Sequence, residues 1–458
     1  MRHTIAKSAM VCLLAAPAAA PTEVNAETNV LIFLADDLGY GDLGYSGSTH
    51  ARTPHIDAFA QQNMTFTAGY APSPQCSPTR AAILTGQYPA RLHITTWIGG
   101  KNLAQYKGMS LPVERKRLPD DTHTLAHHFQ SRGYDTVQIG KWHLGGNSEL
   151  PARAGFDETI GFAPNAGPGT PKEWFGPYPK IKDLTGPPDE YITDRLTDEA
   201  VEYLDEVSDR PFFMMLQHYD VHAPLVAPEE DVQKYVDAGR PRDTDSENAT
   251  YLAMKENLDD SFGRVMAALE DNDLADDTIV VFFSDNGGTP WHARNDPLSG
   301  GKKRFTEGGI RVPLVIRVPG VTEPGSVSDV AVNGIDFFPT LVELTGGSVS
   351  EVDHLFDGIS IAPLLRGGDT LDREALFWHH PAVSRDYAII PPQGVVRQGP
   401  WKLIHYYGDT QPAELYHLGD DLGETKNLAD RFPERVAEMQ NLLEKHLDHT
   451  DAQRVPAR

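Results

Sequence analysis

The segment TNVLIFLADD, residues 28–37, decides how this chain is read. Six consecutive apolar residues followed by two carboxylates describe a strand buried on both faces that ends at a polar rim. The same signature recurs in TVQIG (136–140), FFMMLQH (212–218), TIVVFFSDN (278–286) and VPLVIRVPG (312–320). Between these runs lie helical patterns: TPHIDAFAQQ, THTLAHHFQSRG, YITDRLTDEAVEYLDEV, YLAMKENLDDSFGRVMAALEDN and NGIDFFPTLVELTG. Such alternation predicts an α/β fold, a large, mainly parallel sheet sandwiched by helices. In that architecture ligands collect outside the carboxyl ends of the strands.

After IAPLLRGGDT the character changes to short strand-like pieces, EALFWHH, QGVVRQGPWKLIHYY and AELYHLGDD, followed by a helix from about Pro433 to Leu447. A boundary is therefore expected at Gly367-Gly368, with an α/β domain over 27–367 and a smaller antiparallel sheet plus helix over 368–458. The Pro- and Gly-rich stretch at 161–191 reads as long ordered surface loop, and no internal repeat is found.

At the start, MRHTIAKSAMVCLLAAPAAAPTEVNAET places Arg2 and Lys7 before an apolar stretch with small residues after it. That order is expected of a secretory signal peptide over 1–26, cleaved before Glu27 after Val24-Asn25-Ala26; a cut after Ala20 is disfavoured because Pro21 would follow. The segment is too short to span a bilayer and no other approaches a span, so an exported protein, periplasmic or secreted, is expected. Cys12 leaves with the signal, and Cys76 is then alone, without a disulfide partner in the chain. A formal net charge of −25 repels nucleic acid and polyanions. An anionic substrate must therefore be met by a local basic pocket.

Two polar pairs close two predicted strands, Asp36-Asp37 and Asp285-Asn286. Hard oxygen donors at one sheet edge suit calcium, or with fewer protein ligands magnesium, and the absence of thiolate and imidazole among them disfavours zinc. The plainer alternative is that each acid caps a helix or turns a loop. Cys76 precedes Ser77-Pro78-Thr79-Arg80 and AAILTG. Pro78 suits the first position of a short helix ended by Gly86, which sets the thiol beside a helix amino terminus with Arg80 one turn inside. The polar, turn-like flanks make burial for packing a poor fit.

CSPTR matches the C-x-P-x-R signature of the formylglycine-dependent type I sulfatases, of the alkaline-phosphatase-like superfamily, and CSPTRAAILTGQYPAR resembles its fuller form. The similarity continues through VLIFLADDLGYGDLGYSG, GYDTVQIGKWHLG, VHAPL, SDNGG and LSGGKKRFTEGGIRVPLVIRVPG to VVRQGPWKLI and ELYHLGDDLGETKNLA, nearly the whole chain. The resemblance implies a sulfuric ester hydrolase whose cysteine, here Cys76, is oxidised by a separate maturation enzyme to formylglycine (3-oxoalanine), the hydrate of which is the nucleophile. It implies one calcium ion held by Asp36, Asp37, Asp285, Asn286 and modified Cys76. Arg80, Lys141 and Lys302 would supply positive charge to the transferred group. His143 would take the proton from the remaining hydroxyl, and His222 would protonate the leaving alcohol. Counting back from Glu307-Gly308-Gly309 assigns the family lysine to Lys302; Lys303 and Arg304 depart from the usual small or polar residues, as a substrate feature or only a solvated face.

YPARLHITTWIGG and the VRQGPWKLI tail resemble the bacterial sulfatases that degrade sulfated polysaccharides, so a sulfated carbohydrate, with a galactose-type 4-O-sulfate as the particular guess, is the expected substrate. His93, Trp97, His292, Arg294 and Asn295 are the candidate pocket residues, with Trp97 and Trp291 available to stack on a sugar. Two rivals stand beside this reading: a phosphate ester or phosphonate hydrolase of the same superfamily, and a non-catalytic glycan-binding protein on a sulfatase scaffold. The first usually uses serine or threonine with a histidine-rich zinc pair; the second should have lost family residues, and none of those named is lost.

Overall fold

The opening segment forms β1 (Asn29–Ala35), buried along its whole length. In the computed structural model, which describes residues 28–455 apart from 101, 146–149, 164–165, 182, 245 and 384–388, it lies near the middle of an eight-stranded sheet. The signal segment expected at 1–26 falls outside the described residues. The other strands are β2 (Met64–Phe66), β3 (Asp135–Gly140), β4 (Glu158–Ile160), β5 (Phe212–Gln217), β6 (Thr278–Ser284), β7 (Leu314–Arg317) and β8 (Val327–Ser328). Their order is β8-β2-β7-β6-β1-β5-β3-β4. The run from β6 to β4 is parallel throughout, and β7 is antiparallel to both β6 and β2. The mainly parallel sheet is thus as expected, but VPLVIRVPG supplies an antiparallel strand shorter than its apolar run, because Pro313 and Pro319 bracket it and cannot donate to a ladder.

Alternation along β1 divides the core in two. Leu31 and Phe33 pack with α1 (Pro54–Gln62), α4 (Ile192–Asp205) and α5 (Ala249–Asp271). Val30, Ile32 and Leu34 face the opposite way, onto α2 (Cys76–Thr85), α3 (Leu125–Ser131) and α6 (Phe337–Leu344). Register brings the strand ends level: Ala35 is opposite Ser284, and Gln217 is opposite both Leu34 and Gly140. Whatever follows these residues emerges at one rim.

The helix after the cysteine begins earlier than the sequence suggests. Gln75 is its cap, Cys76 its first residue and Pro78 its third, a position whose N–H has no acceptor within a helix. It is buried on every side, Ser77, Thr79 and Arg80 included, which corrects the expectation drawn from its polar flanks. Burial is tolerated because the hydroxyls are satisfied: Thr79 donates to the Ser73 carbonyl (3.0 Å), and Ser77 accepts from Ile98 N–H (2.9 Å). Gly86, at φ 64, ends the helix.

The C-terminal sheet consists of β9 (Leu376–His380), β10 (Gln393–Gln398), β11 (Trp401–Tyr406) and β12 (Glu414–His417), antiparallel in sequence order. Val396 and Leu403 on one face pack against Met439, Leu443 and Leu447 of α7 (Pro433–His449), together with Ala82 of α2, Tyr88 and Ala90. Val395 and Ile404 on the other face meet Tyr70, Phe305, Ile310 and Trp378. Gly367 and Gly368 lie in the stretch that joins the two sheets, yet the hydrophobic contacts run across it. No helix among the described residues is long and apolar enough to cross a membrane.

Three buried histidines make stability sensitive to acid. His218 shares a hydrogen bond with the Ser261 hydroxyl (2.9 Å), His379 is held between Tyr407 and the Gln453 carbonyl, and His446 stacks on Phe377 at 4.1 Å. Burial pushes each down to about 3. Between pH 6.5 and about 3 the unfolded chain binds protons there that the native state refuses, so stability is complete above pH 6.5 and falls as pH drops below it. Each histidine forfeits about 2 kcal/mol at pH 5. Urea unfolding at pH 7.5 and pH 5 measures the loss, and His446→Phe is expected to reduce it; an identical loss in that variant contradicts the assignment.

Candidate active site

Asp36, Asp37 and Asp285 meet at the rim and all are buried. Such a cluster is tenable only with counter-charge. Lys141, just beyond β3, pairs with Asp36, and Lys302 Nζ stands 2.7 Å from Asp37 Oδ2. Arg80 of α2 grips Asp285 Oδ2 through Nε (2.9 Å) and Nη2 (2.8 Å). Its Nη1 donates to the Lys141 carbonyl (3.0 Å) and to Gln217 Oε1 (2.9 Å), which ties helix to sheet. Asp37, with a left-handed backbone at φ 64, receives Asn286 Nδ2 at 2.8 Å. Cys76 Sγ lies 3.6 Å from Asp36 Oδ1.

These charges set the protonation of their neighbours. Burial raises Asp37, but Lys302, His222 and Lys141 together hold it well below the usual carboxylate range. Burial and the charge of Asp36 push Asp285 up to about 6 despite Arg80. Burial and Asp285 push the Cys76 thiol up to about 12, so it stays a thiol at neutral pH. Burial and Lys141 drive His143 well below its ordinary value; burial and Lys302 bring His222 down to about 3. Both imidazoles are therefore neutral, and their contacts fix the tautomers. His143 Nε2 donates to the Ile98 carbonyl (3.0 Å), which leaves Nδ1 buried and unpartnered. His222 Nδ1 donates to the Ala223 carbonyl (2.5 Å), which leaves Nε2 3.7 Å from Asp37 Oδ2.

The rim oxygens fit a hard cation, but the Cys76 sulfur and the His222 imidazole stand among them, so the absence of such groups on which zinc was disfavoured does not hold for the unmodified side chains. Asp36, Asp37, Cys76 and His222 each offer a ligand atom, all within 4.8 Å of one another. Asn286 Oδ1 is buried with no hydrogen-bond partner, an oxygen whose burial a bound cation would satisfy. The structure thus adds His222 to the cluster that sequence reasoning drew from Asp36, Asp37, Cys76, Asp285 and Asn286.

A cavity of about 390 Å³ opens directly on Asp37, His222 and Lys302, with Thr289, Trp291, His292, Lys303 and Arg304 on its walls. Of the candidate pocket residues, His292 lines it, and Trp97 lies under the Lys303 ammonium (5.7 Å) and beside His143 (6.1 Å). His93, Arg294 and Asn295 do not line it. His93 Nε2 bonds the Asp451 carbonyl (2.9 Å), and the Arg294 side chain lies 3.8 Å from Asp296. Asn295 is spent on Gly288, accepting its N–H and donating to its carbonyl, both at 3.0 Å.

Sequence reasoning missed the support of the Lys302 loop. Lys402 of β11 is wholly buried between Glu307 Oε1 (2.9 Å) and Glu424 Oε1 (2.8 Å). Glu424 Oε2 accepts the Ser299 hydroxyl and the Glu307 N–H, each at 2.6 Å, and so fastens both ends of the turn that carries Lys302. Glu307 Oε2 also receives the Tyr70 hydroxyl at 2.5 Å. The available signal was a lysine at an inward position of an apolar strand, WKLI.

The fold is alkaline-phosphatase-like, and the chain belongs to the sulfatase family: the sulfatase model matches residues 28–348, and the model of the N-sulphoglucosamine sulphohydrolase C-terminal region matches 301–453. It is accordingly a sulfuric ester hydrolase, as the resemblance implied. It is 32% identical to a sulfatase of Formosa agariphila, over 90% of this chain and 86% of that one. It is 29% identical to the N-acetylgalactosamine-6-sulfatase of Canis lupus familiaris, over 88% and 76%. The crystal structure of Ps i-CgsB in complex with k-i-k-neocarrahexaose is similar at a TM-score of 0.78 and 27% identity, covering 92% of this chain and 93% of that one.

Lys402→Met is expected to leave Glu424 buried without its counter-charge and Glu307 dependent on Arg311, 3.4 Å away, and to cost about 3–5 kcal/mol. Loss of the Arg435–Glu438 pair, removed at its exposed member Glu438, should cost under about 1 kcal/mol. Chemical denaturation of Lys402→Met and Glu438→Ala compares the two, and equal effects contradict the role given to Lys402.

Proposed function

We propose that the chain removes sulfate from a sulfated carbohydrate outside the cytoplasm, after a maturation enzyme has converted Cys76 to formylglycine and one calcium ion has bound at Asp36, Asp37, Asp285, Asn286 and modified Cys76. The observation that carries this reading is the convergence of Cys76 with Asp36, Asp37 and His222, beside the buried Arg80 and Lys141 and the cavity-lining Lys302. A buried cysteine held as a neutral thiol is a poor nucleophile, which favours a modified side chain over thiolate chemistry. When present, hydrated formylglycine supplies a hydroxyl nucleophile, and calcium supplies charge that holds sulfate oxygens and acidifies that hydroxyl.

The protein's own groups take the remaining parts. Arg80, Lys141 and Lys302 hold positive charge fixed where an oxyanion gathers negative charge, with no reorganisation needed at the moment of reaction. His143, neutral with a bare Nδ1, is prepared to accept a proton. His222 must carry a proton before it can give one to the leaving alcohol. Burial is the main cause of its low proton affinity; an arriving sulfate ester offsets the part due to Lys302 and Lys141 and so shifts it upward.

A carbohydrate substrate is supported by the relative named for N-acetylgalactosamine-6-sulfate and by the neocarrahexaose complex. Within that class we keep a galactose-type 4-O-sulfate as the particular proposal, and the six-position named for the relative makes the sulfated carbon the variable to test. The segment 1–26, as a signal, supports the exported location.

Sulfate release from galactose, glucosamine, fucose and uronate-containing sulfated saccharides is the test, with the mass of the Cys76 peptide checked alongside. Cys76→Ala is expected to lose roughly a thousandfold or more in kcat while keeping the wild-type unfolding midpoint. Sulfate release that persists in this variant sinks the assignment of the nucleophile, and phosphate released in place of sulfate from matched aryl esters decides for a phosphohydrolase. Chelation should inactivate the enzyme, with activity restored by calcium. Full activity in metal-free protein removes the metal role of the rim carboxylates.

A further inference from the structure

We propose that Arg304 forms a second anion subsite, so that this enzyme selects saccharides bearing a further negative group, sulfate or carboxylate, beside the sulfate it removes. The inference rests on the sulfatase reading and adds what the mouth of the site selects. Two turns face each other across the cavity, stitched by Lys302 N–H to the Gly288 carbonyl at 3.0 Å. The first turn contributes Thr289, Pro290, Trp291 and His292; the second contributes Lys302, Lys303 and Arg304.

The three cations are not equivalent. Lys302 is committed to Asp37, and Lys303 is buried over the Trp97 ring. Arg304 is exposed on the cavity wall, and its guanidinium has no hydrogen bond or ion pair among the described residues. Acids of the adjoining C-terminal region are already engaged: Glu414 by the Tyr406 and Tyr416 hydroxyls, Glu424 by Lys402, Ser299 and Glu307. A guanidinium with no ion pair among the described residues therefore presents a planar fork of donors to a cavity large enough for a small ligand.

Its mounting is rigid. Lys303 has a left-handed backbone at φ 69, Arg304 N–H closes on the Gly301 carbonyl (2.9 Å), and a Cβ on Gly300 would stand 3.2 Å from the Arg304 Cβ. With both ends of the turn fastened to Glu424, little backbone freedom is lost when an anion binds. Because Arg304 is exposed at the cavity wall while the Lys302–Asp37 pair is nearly enclosed, the group it reads is assigned to the substrate's periphery rather than to the scissile ester.

The experiment uses full-length protein with Cys76 conversion confirmed and two saccharides that share the scissile sulfate but differ by one neighbouring sulfate or carboxylate. Wild type should favour the doubly charged substrate. Arg304→Ala is expected to lower the ratio of kcat/KM for the two substrates about 10- to 100-fold, chiefly through KM, and Arg304→Lys should keep part of the preference as a point charge. A ratio unchanged by Arg304→Ala, with both substrates cleaved, overturns the subsite alone. A wild type with equal kcat/KM for the two saccharides likewise overturns the subsite, whereas a converted enzyme that releases sulfate from no saccharide of the panel overturns the carbohydrate reading on which it rests.

Discussion

Three carboxylates buried at the end of a parallel sheet are the constraint on which the rest of this molecule depends. Asp36, Asp37 and Asp285 are all buried, with Asp37 alone bordering the cavity, and an uncompensated charge at such a depth costs several kcal/mol. Their counter-charges come from three separate places: Arg80 from α2, Lys141 from the end of β3, and Lys302 from the turn near residue 300. The rim is fully paired only with all three in place, and the cations that neutralise it are those proposed to meet the substrate.

The same physics operates a second time behind the Lys302 turn. Lys402 lies between Glu307 and Glu424, and the spare oxygen of Glu424 fastens both ends of the turn. A loop could not hold an ammonium at a fixed place by itself, because a long side chain on a mobile backbone has too many alternatives. The C-terminal sheet removes that freedom, and through Ala82, Tyr88 and Ala90 it also packs against the helix that begins at Cys76 and the residues just after it. The small sheet is thus continuous with the support of the site.

Much of this was legible in the sequence where the signal is local. Apolar runs ending in carboxylates located β1 and β6 and put Asp36, Asp37, Asp285 and Asn286 on one rim, and residues 76–91 carried the family. Strand direction was not legible, since the apolar run containing β7 looks the same in either sense. The start of α2 was misplaced because proline suits the third helical position as well as the first. Polar flanks around Cys76 suggested exposure, whereas partners distant in sequence, Ile98 N–H for Ser77 and Asp285 for Arg80, make their burial tolerable. Asn295 and His93 looked available for a ligand because nothing local shows that Gly288 and the Asp451 carbonyl occupy them.

The histidines show how far position alone can divide labour between identical side chains. Both are neutral, so their difference does not lie in charge. It lies in which nitrogen is tied to a carbonyl and in what faces the other: a closed, unpartnered position at His143 Nδ1, and the cavity-lining Asp37 at His222 Nε2. An anion entering the cavity acts first on the second of these, because His222 and the Lys302 that depresses it both line that cavity. On the proposed reading the substrate's own charge prepares its general acid, and an acidic protein processes an anion by keeping its positive charge in one walled pocket.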